Sequence, residues 1–208
     1  MIDNPPPLTR RERARLQLRQ AILDAALAIA RQDGWPAVTT RKVAEKIDYS
    51  LPTLYEHFKN KAAILEELSR LGHLQMLEIL RAAHTRAADP AEGARRIALA
   101  YCNFAWQHRE LYEVMYGLSG VRLETGTYHA EAQALRAEAH RALELWARAE
   151  KVAIRNLDDA VQIVWSTLHG IASLALTSQV PGGKRRAAAL AARAVEDLLS
   201  AWRTAGSV

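Results

Sequence analysis

Residues 47–58 read IDYSLPTLYEHF, which predicts a turn followed by a very short helix. Ser50 can cap this helix, because a serine placed before a first helical turn accepts a hydrogen bond from a free backbone N–H. Pro52 is compatible with the first turn, where a missing N–H removes no intrahelical hydrogen bond. Asp48 occupies the turn, and aspartate adopts a left-handed conformation at modest cost. We therefore predict a helix from Leu51 to about Phe58 with most of its side chains pointing outward.

A second short helix precedes this turn. Thr39 can cap it and it continues through Lys46, so residues 39–58 have the pattern of a helix-turn-helix. The apolar residues of the two short helices are spaced so that they share one inner face. We expect this face to pack on a longer first helix, from about Thr9 to Asp33, which ends at Gly34. The inner face consists of Val43, Ala44, Ile47, Leu54 and Phe58.

Helix-forming residues fill most of the chain, and no stretch alternates apolar and polar residues for long enough to predict a strand. The predicted fold class is all-α. We expect an extended, proline-rich tail at residues 1–8, a three-helix helix-turn-helix domain at 9–60 and a helical C-terminal domain at 61–208. Within the C-terminal domain we predict helices at about residues 61–84, 90–109, 111–116, 128–151, 157–179 and 184–203, with a glycine-bearing loop at 117–126.

The composition of the 208 residues is that of a globular protein, with 50% hydrophobic and 25% charged residues. The formal net charge of +5 favours an acidic partner, of which nucleic acid is the commonest. The first 20 residues contain no apolar core of signal-peptide length, and no apolar run reaches the roughly 20 residues of a membrane span. We therefore expect a cytoplasmic protein with no membrane partner.

Catalytic and metal-binding patterns are not evident in the sequence. Cys102 is the single cysteine, and no serine, histidine and acid are arranged around it as in a nucleophilic site. The seven histidines form no His-x3-His pair. We identify no paired carboxylates and no phosphate-binding loop. The expectation is a protein without catalytic residues, metal or cofactor, and an enzyme is the remote alternative.

The outer face of residues 39–61 suits a DNA duplex. Thr39 and Ser50 stand at helix N-termini, where free N–H groups and the helix dipole favour phosphate oxygens. Further hydrogen-bond donors surround them, and the outward residues at the start of the second helix are candidates to read base edges. The donors are Thr40, Arg41, Tyr55, His57 and Lys61, and the candidate readers are Leu51, Pro52 and Thr53. Spacing alone leaves open a helix corner with no role in DNA binding.

Residues 21–65 resemble the DNA-binding domain of the tetracycline-repressor (TetR/AcrR) family of transcriptional regulators. The elements that match, in order and at the family's spacing, are Gly34, Thr39, Arg41, Val43-Ala44, Ser50, Thr53-Leu54-Tyr55, His57-Phe58, Lys61 and Ile64-Leu65. The sequence departs from the family at Ile47-Asp48, where Ala-Gly is common, and at Leu51, where relatives often have a polar or basic residue. Leu51 cannot donate a hydrogen bond to a base, but it can contact a thymine methyl group.

The resemblance implies a homodimeric DNA-binding regulator, most simply a repressor that leaves a pseudo-palindromic operator when a small ligand binds. It implies that residues 39–41 meet the DNA backbone and that residues 51–57 enter the major groove, with Tyr55, His57 and Lys61 at phosphates. It also implies a dimer formed through the last two helices. The alternative is a non-specific DNA-binding protein driven by charge alone.

Trp165, His169 and Gly170 match the Trp-x3-His-Gly signature of a subset of this family. Trp165 and His169 lie four residues apart, hence on one face of a helix. The resemblance implies a C-terminal effector-binding domain, and we expect a pocket for a small, largely apolar effector. The candidate lining residues are Tyr101, Cys102, Trp106, Tyr112, Met115, Tyr116, Trp165 and His169. The alternative is that they form ordinary core, with Gly170 permitting close helix packing.

Four arginines, Arg10, Arg11, Arg13 and Arg15, lie close to the N-terminus. We interpret them as a basic arm preceding the first helix. Such an arm can reach the backbone or minor groove of DNA, as the arms of related helix-turn-helix proteins do. The alternative is a solvated, disordered tail.

Overall fold

The computed structural model describes residues 8–121 and 130–205, and every regular element within these ranges is helical. The predicted all-α class is therefore confirmed. A single turn of 3-10 helix, Trp35–Ala37, lies between the first two α-helices. The α-helices are α1 (Arg10–Asp33), α2 (Thr40–Lys46), α3 (Leu51–Tyr55), α4 (Lys61–Thr85), α5 (Pro90–Gln107), α6 (Arg109–Met115), α7 (Ala130–Glu150), α8 (Leu157–Leu176) and α9 (Gly183–Ala205).

Side-chain caps begin the three helices after α1 at the predicted positions. The Thr39 side chain accepts a hydrogen bond from a backbone N–H of α2. Ser50 does the same for α3 and Asn60 for α4. Because each cap satisfies a donor that has no partner within its own helix, short helices can begin close together along the chain.

The turn between α2 and α3 has the predicted geometry. Asp48 adopts a φ of 58°, which is the left-handed region. The helix predicted from Leu51 is shorter than expected, because α3 ends at Tyr55 and not near Phe58. Beyond Tyr55 the N–H of His57 bonds to the carbonyl of Leu54, only three residues back, so the last turn is tighter than an α-helix.

A first hydrophobic core joins α1, α2 and α3 to the beginning of α4. The predicted inner face is buried at Val43, Ala44, Leu54 and Phe58, whereas Ile47 lies half-buried at the edge. Residues from the first half of α4 and Val114 of α6 also belong to this core. The boundary that we predict between residues 60 and 61 stays a prediction, and α4 itself contributes to both cores.

The second core lies among α4 to α9, with α5 packing against α4, α6, α7, α8 and α9. Its largest fully buried side chains include Tyr101, Tyr112 and Trp146. Helices α4 and α6 approach closely at Gly72, where an added Cβ would lie 2.7 Å from Sδ of Met115. Because α6 takes part in both cores, the helix-turn-helix is attached to the body by packing as well as by the chain.

The predicted basic arm is helical. Thr9 caps α1 through a reciprocal pair of hydrogen bonds with Glu12, so all four arginines lie in the first two turns of α1. The helix predicted from about Thr9 is confirmed, and the interpretation of these arginines as an arm preceding it was wrong. Residues 1–7 of the predicted tail, residues 122–126 of the predicted loop and the first two residues of the helix predicted from 128 lie outside the described residues.

Candidate nucleic-acid interface and effector cavity

The residues predicted to contact DNA form one surface on α2, α3 and the start of α4, here called the recognition surface. The two short helices meet there, and the hydroxyl of Thr40 lies 3.4 Å from the hydroxyl of Tyr55. No member of the surface is buried. Thr39, Arg41, Ser50, Pro52 and Tyr55 are exposed, and Thr40, Leu51, Thr53, His57 and Lys61 are half-buried. The contacts of these residues with DNA stay predictions.

Local hydrogen bonds position several side chains of the recognition surface. Oγ of Ser50 lies 2.8 Å from Oγ1 of Thr53. Nε of Arg41 donates to Glu45 at 2.9 Å, in an exposed pair that contributes at most about 1 kcal/mol. Such a weak pair can exchange for a phosphate. Leu51 packs partly against the first core, so only one side of it is available to a base.

Lys61 does not project freely from the surface as the predicted docking requires. Its ammonium donates to the backbone carbonyl of Trp35 at 3.0 Å, and burial lowers the pKa of the amine. This contact ties the start of α4 to the 3-10 turn before α2. The expectation that Lys61 faces outward was wrong, because its side chain is half-buried and its ammonium is held by this carbonyl.

Arg19 of α1 supports the end of the recognition helix, and sequence reasoning missed it. Its guanidinium lies 4.1 Å from the centroid of the Phe58 ring and donates to the carbonyl of His57 at 3.0 Å. It also pairs with Glu67 of α4 at 3.4 Å. Burial lowers the pKa of His57, and the positive charge of Arg15 lowers it further. No short-range pattern links these residues, since they lie on separate segments of the chain.

A buried hydrogen bond joins the helix-turn-helix to α6. The indole nitrogen of Trp35 donates to a carboxylate oxygen of Glu113 at 3.1 Å, and both side chains are buried. The other oxygen of Glu113 accepts from Arg109 at 2.8 Å. Nearby, Arg31 of α1 pairs with Glu110 of α6 at 3.3 Å. The Trp35–Glu113 and Arg31–Glu110 contacts were also missed, because their partners lie more than 70 positions apart in the chain.

Five of the eight residues proposed for the effector pocket form an aromatic cluster, namely Tyr101, Tyr112, Tyr116, Trp165 and His169. The hydroxyl of Tyr112 lies 2.7 Å from Nδ1 of His169 and 3.1 Å from the hydroxyl of Tyr101. The rings of Tyr116 and Trp165 pack around these groups at centroid distances of 4.8 to 6.0 Å. Burial raises the pKa of Tyr101 and Tyr112 and lowers the pKa of His169. The cluster is therefore uncharged at neutral pH.

A small cavity of about 50 Å³ lies beside this cluster, between α4, α5, α7 and α8. Its wall is largely apolar, and Tyr101 and Trp165 are the two members of the predicted set that line it. Pockets that hold drug-sized ligands measure about 300–1,000 Å³, so this cavity has to widen before it can accept one. The other lining residues are Leu80, Ala94, Ile97, Ala139, Ala142, Leu143, Val161, Val164 and Leu168.

The remaining predicted pocket residues do not line this cavity. Cys102 is buried, and burial raises the pKa of its thiol to about 12, which disfavours the thiolate. Trp106 is half-buried and its buried indole nitrogen has no hydrogen-bond partner among the described residues. Met115 packs on Gly72 between α4 and α6. Gly170 has no atom within 4 Å of an added Cβ, so its expected role in close helix packing within the chain was wrong.

The outer faces of α8 and α9 carry apolar side chains that the described chain leaves uncovered. Ile163 and Leu174 of α8 are 47% and 46% exposed, and Leu190 of α9 is 42% exposed. Gly170 lies on the same outer side of α8 and faces open space. The two helices pack on each other within the chain, and we call these uncovered apolar side chains the patch.

The described residues include no group of three or more histidine, cysteine, aspartate or glutamate side chains that could hold a metal ion. Among the helices at 8–121 and 130–205, none is long and apolar enough to cross a membrane.

Two family models match the chain. The model of the bacterial regulatory proteins of the tetR family matches residues 22–68. The model of the tetracyclin repressor-like C-terminal domain matches residues 94–198, which is just over half of the 208 residues. The first match contains the whole recognition surface, and the second contains every residue predicted for the effector pocket.

Individual proteins and solved structures are also similar to this chain. The chain is 42% identical to the class D tetracycline repressor of Escherichia coli over 75 residues, which are 36% of this chain and 31% of that repressor. The chain thus spans about a third of the length of this curated relative. Two solved structures share its fold over most of its length. One is a protein of unknown function from Rhodococcus sp. RHA1, with a TM-score of 0.78 and 22% identity, and the match covers 89% of this chain and 95% of that one. The other is the TetR family regulator PfmR from Thermus thermophilus, with a TM-score of 0.64 and 23% identity, and the match covers 86% of this chain and 97% of that one.

Proposed function

The chain belongs to the tetR family of bacterial regulatory proteins, and from this premise we propose that it is a DNA-binding transcriptional repressor. In this proposal two copies bind a pseudo-palindromic operator, and a small ligand releases them. The observation that carries the proposal is the recognition surface. A short capped helix, α3, is fixed from below by Leu54 and Phe58, while its outer side chains have no covering element in the described chain.

The recognition helix explains why a dimer is needed. A five-residue helix reaches only a few base pairs, which is too few to define a unique site, so we expect two helices to read two half-sites. A closed two-fold dimer satisfies this requirement. The uncovered apolar patch on α8 and α9 supports placing the interface there, because covering large apolar side chains with a partner lowers the free energy of the complex.

Sedimentation of paired variants tests the dimer. Leu174→Arg places a charge in the patch, and we expect it to shift the protein towards monomer and to weaken operator binding. Leu145→Arg is the matched control, since Leu145 is exposed on α7 outside the patch. We expect Leu145→Arg to remain dimeric. A dimeric Leu174→Arg protein with unchanged affinity would refute this interface.

The proposed effector site is the aromatic cluster with the adjoining cavity. Ligand release then follows from a population shift, in which the ligand binds better to a conformation with a wider cavity. The path to DNA runs through α4 and α6, because both helices belong to the body core and the helix-turn-helix core. We expect the released form to hold the two recognition helices at a spacing that no longer fits the operator.

An uncharged, largely apolar ligand fits this site best. The cavity wall carries no charged side chain, and burial keeps both the nearby tyrosines and His169 neutral. A charged group without a counter-charge would lose its hydration there and gain little in return. The Tyr112 and His169 pair offers one polar anchor.

Because the proposed target of the protein is DNA, we also propose that it acts in the cytoplasm and that it carries no catalytic function of its own.

A further inference from the structure

The first two turns of α1 stand apart from the rest of the N-terminal domain. All residues from 8 to 17 are exposed, and we call this segment the basic extension. It lies before residue 22, where the match to the tetR family model begins. It contains four arginines and one glutamate, a formal charge of +3, whereas the whole chain carries +5. The positive charge of the protein is thus concentrated in one short helical segment.

Few interactions within the described chain stabilise the helical form of the basic extension. It buries no side chain against the body, so packing does not favour its helical form. Arginines in the first turns of a helix also oppose the helix dipole. The main local compensation is the capping box, in which Glu12 accepts from the backbone N–H of Thr9 at 2.7 Å. The segment is thus a solvated helix that displays cations.

Most of these cations have no partner in the described chain. Arg13 donates to the backbone carbonyl of Leu8. Arg10, Arg11 and Arg15 form no ion pair or hydrogen bond with any residue in the described parts of the chain. Unpaired guanidinium groups are available to bind an external anion without first breaking an internal contact.

The position of the basic extension, next to the end of α3, indicates which anion it can meet. Arg19, one turn beyond Arg15, contacts Phe58 and the carbonyl of His57 at the end of the recognition helix. Arg15 lies close enough to His57 for its charge to lower the pKa of that imidazole. Residues 11, 15 and 19 lie on one side of α1, in a row about 12 Å long at 1.5 Å per residue. The row therefore begins beside α3 and runs away from it.

We propose that the basic extension binds DNA phosphates that flank the bases read by α3, with Arg11 and Arg15 as the contacting residues. This inference rests on the proposed DNA-binding function. Arg11 and Arg15 lie about 6 Å apart along α1, a length that spans about two phosphates of one strand at one charge per about 3.4 Å of duplex axis. Such contacts lengthen the footprint and raise affinity without reading sequence.

The test compares Arg11→Ala/Arg15→Ala with Arg141→Ala/Arg155→Ala. The control pair removes the same charge from exposed arginines outside both the recognition surface and the patch on α8 and α9. The DNA is a duplex that the wild-type protein selects from a random library, prepared with long flanks and with the flanks trimmed to the selected core. Affinity for each duplex is measured at several salt concentrations.

On the long duplex we expect Arg11→Ala/Arg15→Ala to bind more weakly, with a slope of log K against log salt that is smaller by about 2. On the trimmed duplex it should bind like the wild type. The control pair should match the wild type on both, and Arg11→Lys/Arg15→Lys should keep most of the slope because phosphates require only charge. Circular dichroism verifies that each variant remains folded.

Equal slopes for Arg11→Ala/Arg15→Ala and the wild type on the long duplex would overturn the inference. The same holds if the variant loses as much affinity on the trimmed duplex, because the contacts would then not be flanking ones. A wild-type protein that selects no sequence would instead refute the proposed function. The two failures are thus distinguishable.

Discussion

The indole nitrogen of Trp35 donates a hydrogen bond to Glu113 at 3.1 Å, and this contact joins the turn before α2 to a helix of the body. Glu113 lies on α6 between Val114, which packs in the N-terminal core, and Tyr112, which belongs to the aromatic cluster. One seven-residue helix therefore touches both the support of the recognition surface and the candidate effector site. Any widening of the cavity that shifts α6 must act on this bond.

We expect Trp35→Phe to destabilise the protein more than Trp146→Phe. Both indoles are fully buried, but the N–H of Trp146 has no hydrogen-bond partner in the described residues, whereas the N–H of Trp35 binds a carboxylate. Losing a hydrogen bond to a buried charged group costs about 1.5–3 kcal/mol beyond the shared loss of packing. Urea denaturation gives the two free energies of unfolding. Equal losses would show that the Trp35 bond contributes nothing to stability.

Tyr55→Ala should weaken operator binding without changing the thermal midpoint, because the side chain is 46% exposed and supports no core. Tyr55→Phe isolates the hydroxyl. If that hydroxyl donates to a phosphate, Tyr55→Phe should lose roughly tenfold in affinity, which corresponds to about 1.4 kcal/mol. Fluorescence anisotropy with labelled operator measures both variants. Wild-type affinity in Tyr55→Ala would contradict the docking of α3.

Leu51→Ala should alter sequence preference while leaving affinity for random DNA near the wild-type value. The half-buried Leu51 side chain presents one side to a duplex, and a leucine can select only through apolar contact such as a thymine methyl. The matched variant Leu54→Ala removes a fully buried leucine one helical turn on, and it should lose about 2–5 kcal/mol of stability. Library selection compares the preferences. An unchanged profile for Leu51→Ala would refute its role as a reader.

The stability of the wild type should fall more steeply than that of His169→Gln as the pH drops below about 6.5. Burial lowers the pKa of His169 in the folded protein, so the unfolded chain binds a proton there at a pH where the folded chain does not. The stability that depends on a neutral His169 is complete above the pKa of the unfolded chain, about 6.5. It is lost as the pH falls through the lower pKa of the folded protein, by at most about 1.4 kcal/mol per pH unit. Urea titrations at about pH 7.5, 6.5 and 5.5 measure the stability on both sides of the unfolded pKa. Parallel pH profiles for the two proteins would contradict this assignment.

Local features of the helix-turn-helix could be predicted from the sequence because they depend on near neighbours. Caps at Thr39, Ser50 and Asn60 each involve residues within one turn, and the left-handed Asp48 follows from local steric preference. The inner face followed from helical spacing. The early end of α3 did not, because the turn after Tyr55 depends on how Phe58 reaches the core below.

Contacts between distant segments could not be predicted in this way. Lys61 reaches the carbonyl of Trp35, and Trp35 reaches Glu113, only because the helices pack as they do. The effector set shows the same limit. Spacing placed Trp165 and His169 on one face, but only packing decides that Trp165 lines the cavity while His169 binds Tyr112 beside it.

The measurement that tests the central claim most directly is a salt titration of binding to the selected operator and to a scrambled duplex of equal length. Counterion release weakens binding to both duplexes as salt rises, but only a protein that reads bases keeps a preference. We predict an operator affinity at least about 10³-fold above that for scrambled DNA near physiological salt, with two protomers per operator. Equal affinity for both duplexes at every salt concentration would contradict the account.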